Sequence, residues 1–111
     1  MGKITSLFTR ADVDTFAKEL AGDIAKRYPP ALEKEPGKRP SENRLTRIIE
    51  DVCTKAVEFR ERTRLGWYGK AKLGNAFRWE LTAMGYQKDF VDLATEAVIV
   101  HLSRKAAVKA G

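Results

Sequence analysis

This 111-residue chain holds one cysteine and one histidine, Cys53 and His101. A thiol nucleophile needs a base within hydrogen-bond reach, so these two would have to meet across the fold. Cys53 lies in an apolar helical run with Val52, Ala56 and Val57. Apolar burial raises a thiol pKa and leaves it inert, so the expectation is a small buried hydrophobe. A zinc site needs clustered Cys, His or carboxylate ligands, and a di-metal centre in a helical bundle needs Glu-x-x-His pairs. Glu96 and His101 are five apart and leave a common helix face; His101 is expected at the core edge with a hydrogen-bond partner. Asp12, Asp14, Glu50, Asp51, Asp89 and Asp92 suit helix caps and solvent faces. Gly69 and Gly74 have the G-x-x-x-x-G spacing of a phosphate loop. Asn75-Ala76 stands where that loop needs Lys-[Ser/Thr], and no strand precedes it. The expectation is a chain with no catalytic residue, no metal and no cofactor.

A different chemistry is concentrated in "RTRLGWYGKAKLGNAFRW", residues 62–79. The net charge is +6, and residues 60–78 hold six cations (Arg60, Arg62, Arg64, Lys70, Lys72, Arg78) against Glu61 alone. Such a patch attracts polyanions. Trp67, Tyr68 and Trp79 interleave with the cations, and phosphate-holding charge with stacking rings is the recipe for single-strand or RNA contact. Arg44, Arg47 and Lys55 extend the surface, blunted by acidic neighbours.

A helix-turn-helix can be laid on the sequence in two registers. With Gly85 as the turn, the second helix presents Lys88, Asp89, Asp92 and Glu96, three of them acidic. With Gly66 as the turn, it presents Lys70, Lys72, Asn75 and Arg78, and Asn75 can read a base edge. There, Arg62 and Lys72 occupy positions that a compact motif keeps apolar. The favoured expectation is therefore non-catalytic nucleic-acid binding by Arg60, Arg62, Arg64, Trp67, Tyr68, Lys70, Lys72, Asn75 and Arg78. Single-stranded or RNA partners are favoured over duplex DNA.

The rival is a protein-interaction module: an adaptor, an inhibitor or a small subunit of a larger assembly. The last apolar segment covers more than one helix face, and Val91, Ile99 and Val100 are its candidate interface residues, either for a partner chain or for a homodimer. An acidic protein surface is the other partner suited to the basic patch.

These groups must be positioned by helices. Apolar spacing of three and four predicts helices over residues 10–28, 42–64, 69–84 and 88–107. Thr9 is placed to cap the first, with Phe8 and Val13 as a hydrophobic staple. All four prolines fall in residues 29–41, which read as a loop ending in Ser41 as the next cap. Arg47–Asp51, Asp51–Lys55 and Glu58–Arg62 are spaced for ion pairs along the second helix. Gly66 is expected to close that helix, Gly69 to open the third, and Gly85 to end the third in a left-handed turn. Residues 105–111 read as a frayed tail. The prediction is one domain over residues 1–111: an all-α, small four-helix bundle with a Pro-containing loop between the first and second helices. No apolar run approaches the ~20 residues of a membrane span, so no membrane partner is expected. "MGKITS" matches the short M-G-x-x-x-[ST] lipidation pattern, which chance produces often. One thiol and no signal-like N-terminus point to a reducing, cytoplasmic setting.

Overall fold

A computed structural model describes residues 10–104, with side chains from residue 12. Four α-helices form a bundle: α1 (Arg10–Arg27), α2 (Glu42–Thr63), α3 (Trp67–Met84) and α4 (Lys88–Ser103). Two short 3-10 turns, Pro30–Lys34 and Pro36–Lys38, occupy the Pro-containing connection between α1 and α2. No described residue is in a strand.

Each helix buries the stripe that its spacing defines. α1 contributes Val13, Ala17, Leu20 and Ile24, α2 contributes Ile48, Val52, Cys53 and Phe59, and α3 contributes Leu73, Phe77 and Leu81. On α4, Phe90, Val91, Ala94, Val98 and Leu102 are buried. α1 packs on α2 and α3, and α4 packs on α2 and α3. α1 and α2 are antiparallel, as Phe16 stacks on Phe59 at 4.0 Å while Arg27 pairs with Asp51 at 2.7 Å. The ion pairs differ from the expected i,i+4 set. Asp51 and Lys55 reach across to Arg27 and Asp23 of α1, because the α1–α2 contact brings opposite charges closer than the helix spacing does. None of the three expected i,i+4 pairs forms a salt bridge among the described residues.

The helix ends explain the corner at residues 64–66. Ser41 caps α2 as expected, its Oγ accepting from the Arg44 N–H at 3.1 Å. Arg64 ends α2, at φ 57° and ψ 47°, and the Leu65 N–H donates to the Arg60 carbonyl at 3.1 Å. The left-handed position is therefore Arg64 and not Gly66, which is extended (φ −79°, ψ 178°) and leads into α3. A side chain in that region costs roughly 1–2 kcal/mol. Trp67 and Tyr68 consequently form the first turn of α3, two residues earlier than the glycine pattern suggests. Gly85 closes α3 at φ 104°. The Tyr86 N–H reaches the Leu81 carbonyl and the Gly85 N–H the Thr82 carbonyl, completing a Schellman motif.

Arg60 fastens the C-terminal end of α4 to that of α2. Only 7% exposed, it donates from Nη1 to the carbonyls of His101, Leu102 and Arg104 at 3.2, 2.9 and 2.8 Å. Its Nε and Nη2 both donate to Glu61 Oε2. A helix leaves its last carbonyls without intrahelical partners, and this guanidinium supplies them. α4 stops at Ser103, short of the expected residue 107, because Arg104 is extended (φ −76°, ψ 149°). The expected cap at Thr9, the Phe8 staple and the tail at residues 105–111 lie outside the described residues. No helix among the described residues is long and apolar enough to cross a membrane.

Candidate nucleic-acid interface

The early start of α3 sets the geometry of the basic and aromatic residues. At 3.6 residues per turn, Tyr68, Lys72, Asn75 and Trp79 fall within about 60° of one another, along a stripe about 16 Å long. Trp67, Lys70, Gly74 and Arg78 lie on a neighbouring face turned toward α4, where they border a groove with Thr95, Ile99 and Ser103. The rings are not lids on the core. Trp67 is 79% exposed, Tyr68 61% and Trp79 66%. Trp67 and Tyr68 meet edge to face at 6.4 Å, whereas Trp79 stands three turns further along.

The cations divide into two groups. Arg60 is removed from the proposed phosphate contacts, because its guanidinium is committed to the end of α4 and to Glu61. Arg78 is half-engaged: it donates to Asp92 Oδ1 at 2.5 Å, and Lys88 donates to the other oxygen at 2.6 Å. Lys88 and Arg78 together hold the Asp92 carboxyl below the usual range. Arg62, Arg64, Lys70 and Lys72 form no salt bridge among the described residues. Arg62, an exposed residue, has its guanidinium over the Phe59 ring, 5.8 Å from the centroid. The first turn of α3 carries no acidic residue, and Gly66 gives it no side-chain cap. Its positive dipole end therefore adds to the same field.

Arg104 is the cation that sequence spacing does not associate with this patch. Together with Arg64, Lys70, Glu61 and Ser103 it lines a hollow of about 570 Å³. α2 and α4 run in the same direction, so both of their C-terminal ends arrive at the start of α3. No periodicity announces that meeting. The adjoining α3–α4 groove measures about 540 Å³. Gly74 lets α3 and α4 pack closely there, since a Cβ on it would lie 2.8 Å from Ile99 Cγ1.

The expected protein-interface residues separate. Val91 is 3% exposed and belongs to the core, where it follows Phe90 into the contact with the rest of the bundle. Ile99 and Val100 are exposed, as is Leu93.

Cys53 is fully buried, and desolvation pushes its thiol from an ordinary 9.0 up to about 11, with Glu50 adding to the shift and Arg104 opposing it. His101 sits at the core edge, with Nδ1 bonded to the Ala97 carbonyl at 2.8 Å. Among the described residues, no group of three or more His, Cys, Asp or Glu side chains is placed to hold a metal. The raised thiol pKa carries a stability consequence. The folded state keeps its proton while the unfolded state loses it, so Cys53 contributes stability that is complete below pH 9 and declines as pH rises toward 11. Urea titrations at pH 8 and pH 10.5 should show the protein weaker at the higher pH. Cys53→Ala should reduce that difference, and an equal pH dependence in the variant would reject the assignment.

Comparisons with protein-family models, with characterised proteins and with solved structures find no match to this chain. The functional reading therefore rests on the geometry and chemistry above.

Proposed function

We propose that this chain is a non-catalytic nucleic-acid-binding protein that holds single-stranded nucleic acid, RNA above all, on the exposed side of α3 and the adjoining corner. One observation carries the reading. Trp67, Tyr68 and Trp79 are the three most exposed large hydrophobic side chains described; Trp67 and Tyr68 follow Arg62 and Arg64 at the corner, Lys72 lies between Tyr68 and Trp79 on the stripe, and these cations and Lys70 have no salt bridge among the described residues. Solvated rings of this kind offer π faces to unpaired bases, while the cations neutralise the phosphates between them. A duplex hides the faces of its bases, which is why single strands suit this surface better. Asn75, between Lys72 and Trp79 on the stripe, is positioned to hydrogen-bond a base edge. A cytoplasmic setting belongs to this reading: the single Cys53 is buried and can form no disulfide within the chain.

The Lys70→Ala, Lys72→Ala double variant tests the charge component. It should lower the slope of log affinity against log salt by about 1.4, two phosphate contacts at roughly 0.7 each for a single strand. Stability should change by less than about 0.5 kcal/mol, because neither lysine is buried and neither forms a salt bridge among the described residues. Affinity and slope equal to the parent protein would remove these lysines from the site.

A second reading is supported by the exposed apolar residues of α4, Leu93 and Val100 on one face and Ile99 beside α3: a protein-interaction module, with homodimer formation as its simplest case. Sedimentation velocity separates the two, because a monomer at all accessible concentrations removes the homodimer.

A further inference from the structure

We propose that the α3–α4 groove and the hollow beside it form a seat for the phosphate-bearing end of a nucleic-acid strand. The inference rests on the nucleic-acid reading above and adds to it a preference for strand ends.

The two depressions meet at Lys70 and Ser103, which line both. Their chemistries are complementary. The groove has an apolar floor from Ala71, Gly74 and Ile99, with the exposed indole of Trp67 at one margin. Its volume of about 540 Å³ falls in the range of small-molecule sites, roughly 300–1,000 Å³. Asn75 offers an amide at its edge, and Thr95, 1% exposed, offers on its wall a buried hydroxyl with no hydrogen-bond partner. Buried hydroxyls are almost always paired, so this one marks an unsatisfied polar position in a lining that also carries Asn75, Arg78 and Ser103. A base against Trp67, with its polar edge toward Asn75 and Thr95, matches that lining.

The hollow supplies the other half of a nucleotide. Arg64, Lys70 and Arg104 line it beside Arg60, whose donors are taken by the end of α4 and by Glu61, the one carboxylate of the lining. A phosphodiester inside a strand carries one negative charge, whereas a terminal monoester carries about 1.5 to 2 at pH 7. Three cations without salt bridges among the described residues, lining one hollow, match the terminal group better than the internal one. Arg64 also adopts the left-handed backbone position that glycine would occupy with less strain.

The test is anisotropy titration of a ten-nucleotide single-stranded RNA in three forms: 5′-phosphate, 3′-phosphate and hydroxyl at both ends. One phosphorylated form should bind roughly tenfold more tightly than the hydroxyl form, the worth of one charge-assisted hydrogen-bond set. The advantage should shrink below about pH 6, where the monoester takes up its second proton. Arg104→Gln should bring the ratio of phosphorylated to hydroxyl strand near one. Ala71→Trp, which fills the groove from an exposed position, should do the same, with thermal melting by circular dichroism establishing that each variant is folded. Equal binding of all three forms overturns the strand-end seat and leaves nucleic-acid binding standing. A free nucleoside monophosphate that competes as well as the phosphorylated strand also overturns it. No binding of any strand rejects the nucleic-acid reading itself, and this inference with it.

Discussion

Replacing Arg60 with methionine is expected to destabilise the protein by about 3 kcal/mol, the cost of breaking a buried, hydrogen-bonded charge. Methionine fills much of the space of the arginine stem but supplies no donor. The carbonyls of Leu102 and Arg104 would lose the guanidinium that now satisfies them at 2.9 and 2.8 Å, and Glu61 would lose its partner. For a domain of this size the melting temperature should fall by roughly 10–20 °C. Urea denaturation should show a lower midpoint with an unchanged slope, the signature of lost stability without a change in the surface exposed on unfolding. Arg60→Lys should recover only part of the loss, because one ammonium cannot span three carbonyls and a carboxylate at once. A change below about 0.5 kcal/mol in the methionine variant would mean that the bonds from Arg60 to α4 contribute nothing net. The effect should extend to the surface, since Arg60 pins the end of α4 beside Arg64 and Lys70.

The second large effect concerns binding. The double variant Tyr68→Ala, Trp79→Ala should lose about 3 kcal/mol of single-strand affinity, more than a hundredfold. Removal of one stacked base typically costs about 1–3 kcal/mol. Both rings are more than half exposed, so the fold should be affected far less than the binding. The contrast with Arg60 is the point: one variant should unfold easily and the other should fold normally and bind poorly. A melting temperature reduced as much as in Arg60→Met would show that the rings support the core. Parent-like affinity in the folded double variant would show that they do not stack.

Much of the architecture follows from local rules. The stripes of α1 to α4, the Ser41 cap, the Gly85 turn and the Pro-containing connection each depend on neighbours within about four residues, and spacing alone exposes them. The site depends on longer relationships. Arg60 looks like one more cation of a basic run, because nothing at residue 60 signals that the carbonyls of residues 101–104 end beside it. Arg104 is separated from Arg64 by all of α3 and α4, so their meeting is a product of how the helix ends assemble. Val91 lies in a segment that is apolar on more than one side, and only packing decides that it goes inward while Ile99 and Val100 stay out. The α3 start was hidden by Gly66 and Gly69. Arg64 took the left-handed position that a glycine is expected to take, which moved Trp67 and Tyr68 from the connection into the helix and aligned Tyr68 with Trp79. The ion pairs of α2 changed partners for a similar reason: i,i+4 neighbours compete with carboxylates and cations on α1.

The most direct measurement of the nucleic-acid reading is an anisotropy titration of the pure protein against labelled single-stranded RNA, single-stranded DNA and duplex DNA at several salt concentrations. The account predicts micromolar or tighter binding of the single strands and weaker binding of the duplex. With four cations free of salt bridges among the described residues, log affinity for the single strands should fall with log salt at a slope of about −3. No binding at low salt, or binding with no salt dependence, would contradict it. The charge at this corner would then serve solvation, and the exposed apolar residues of α4 would become the surface to pursue.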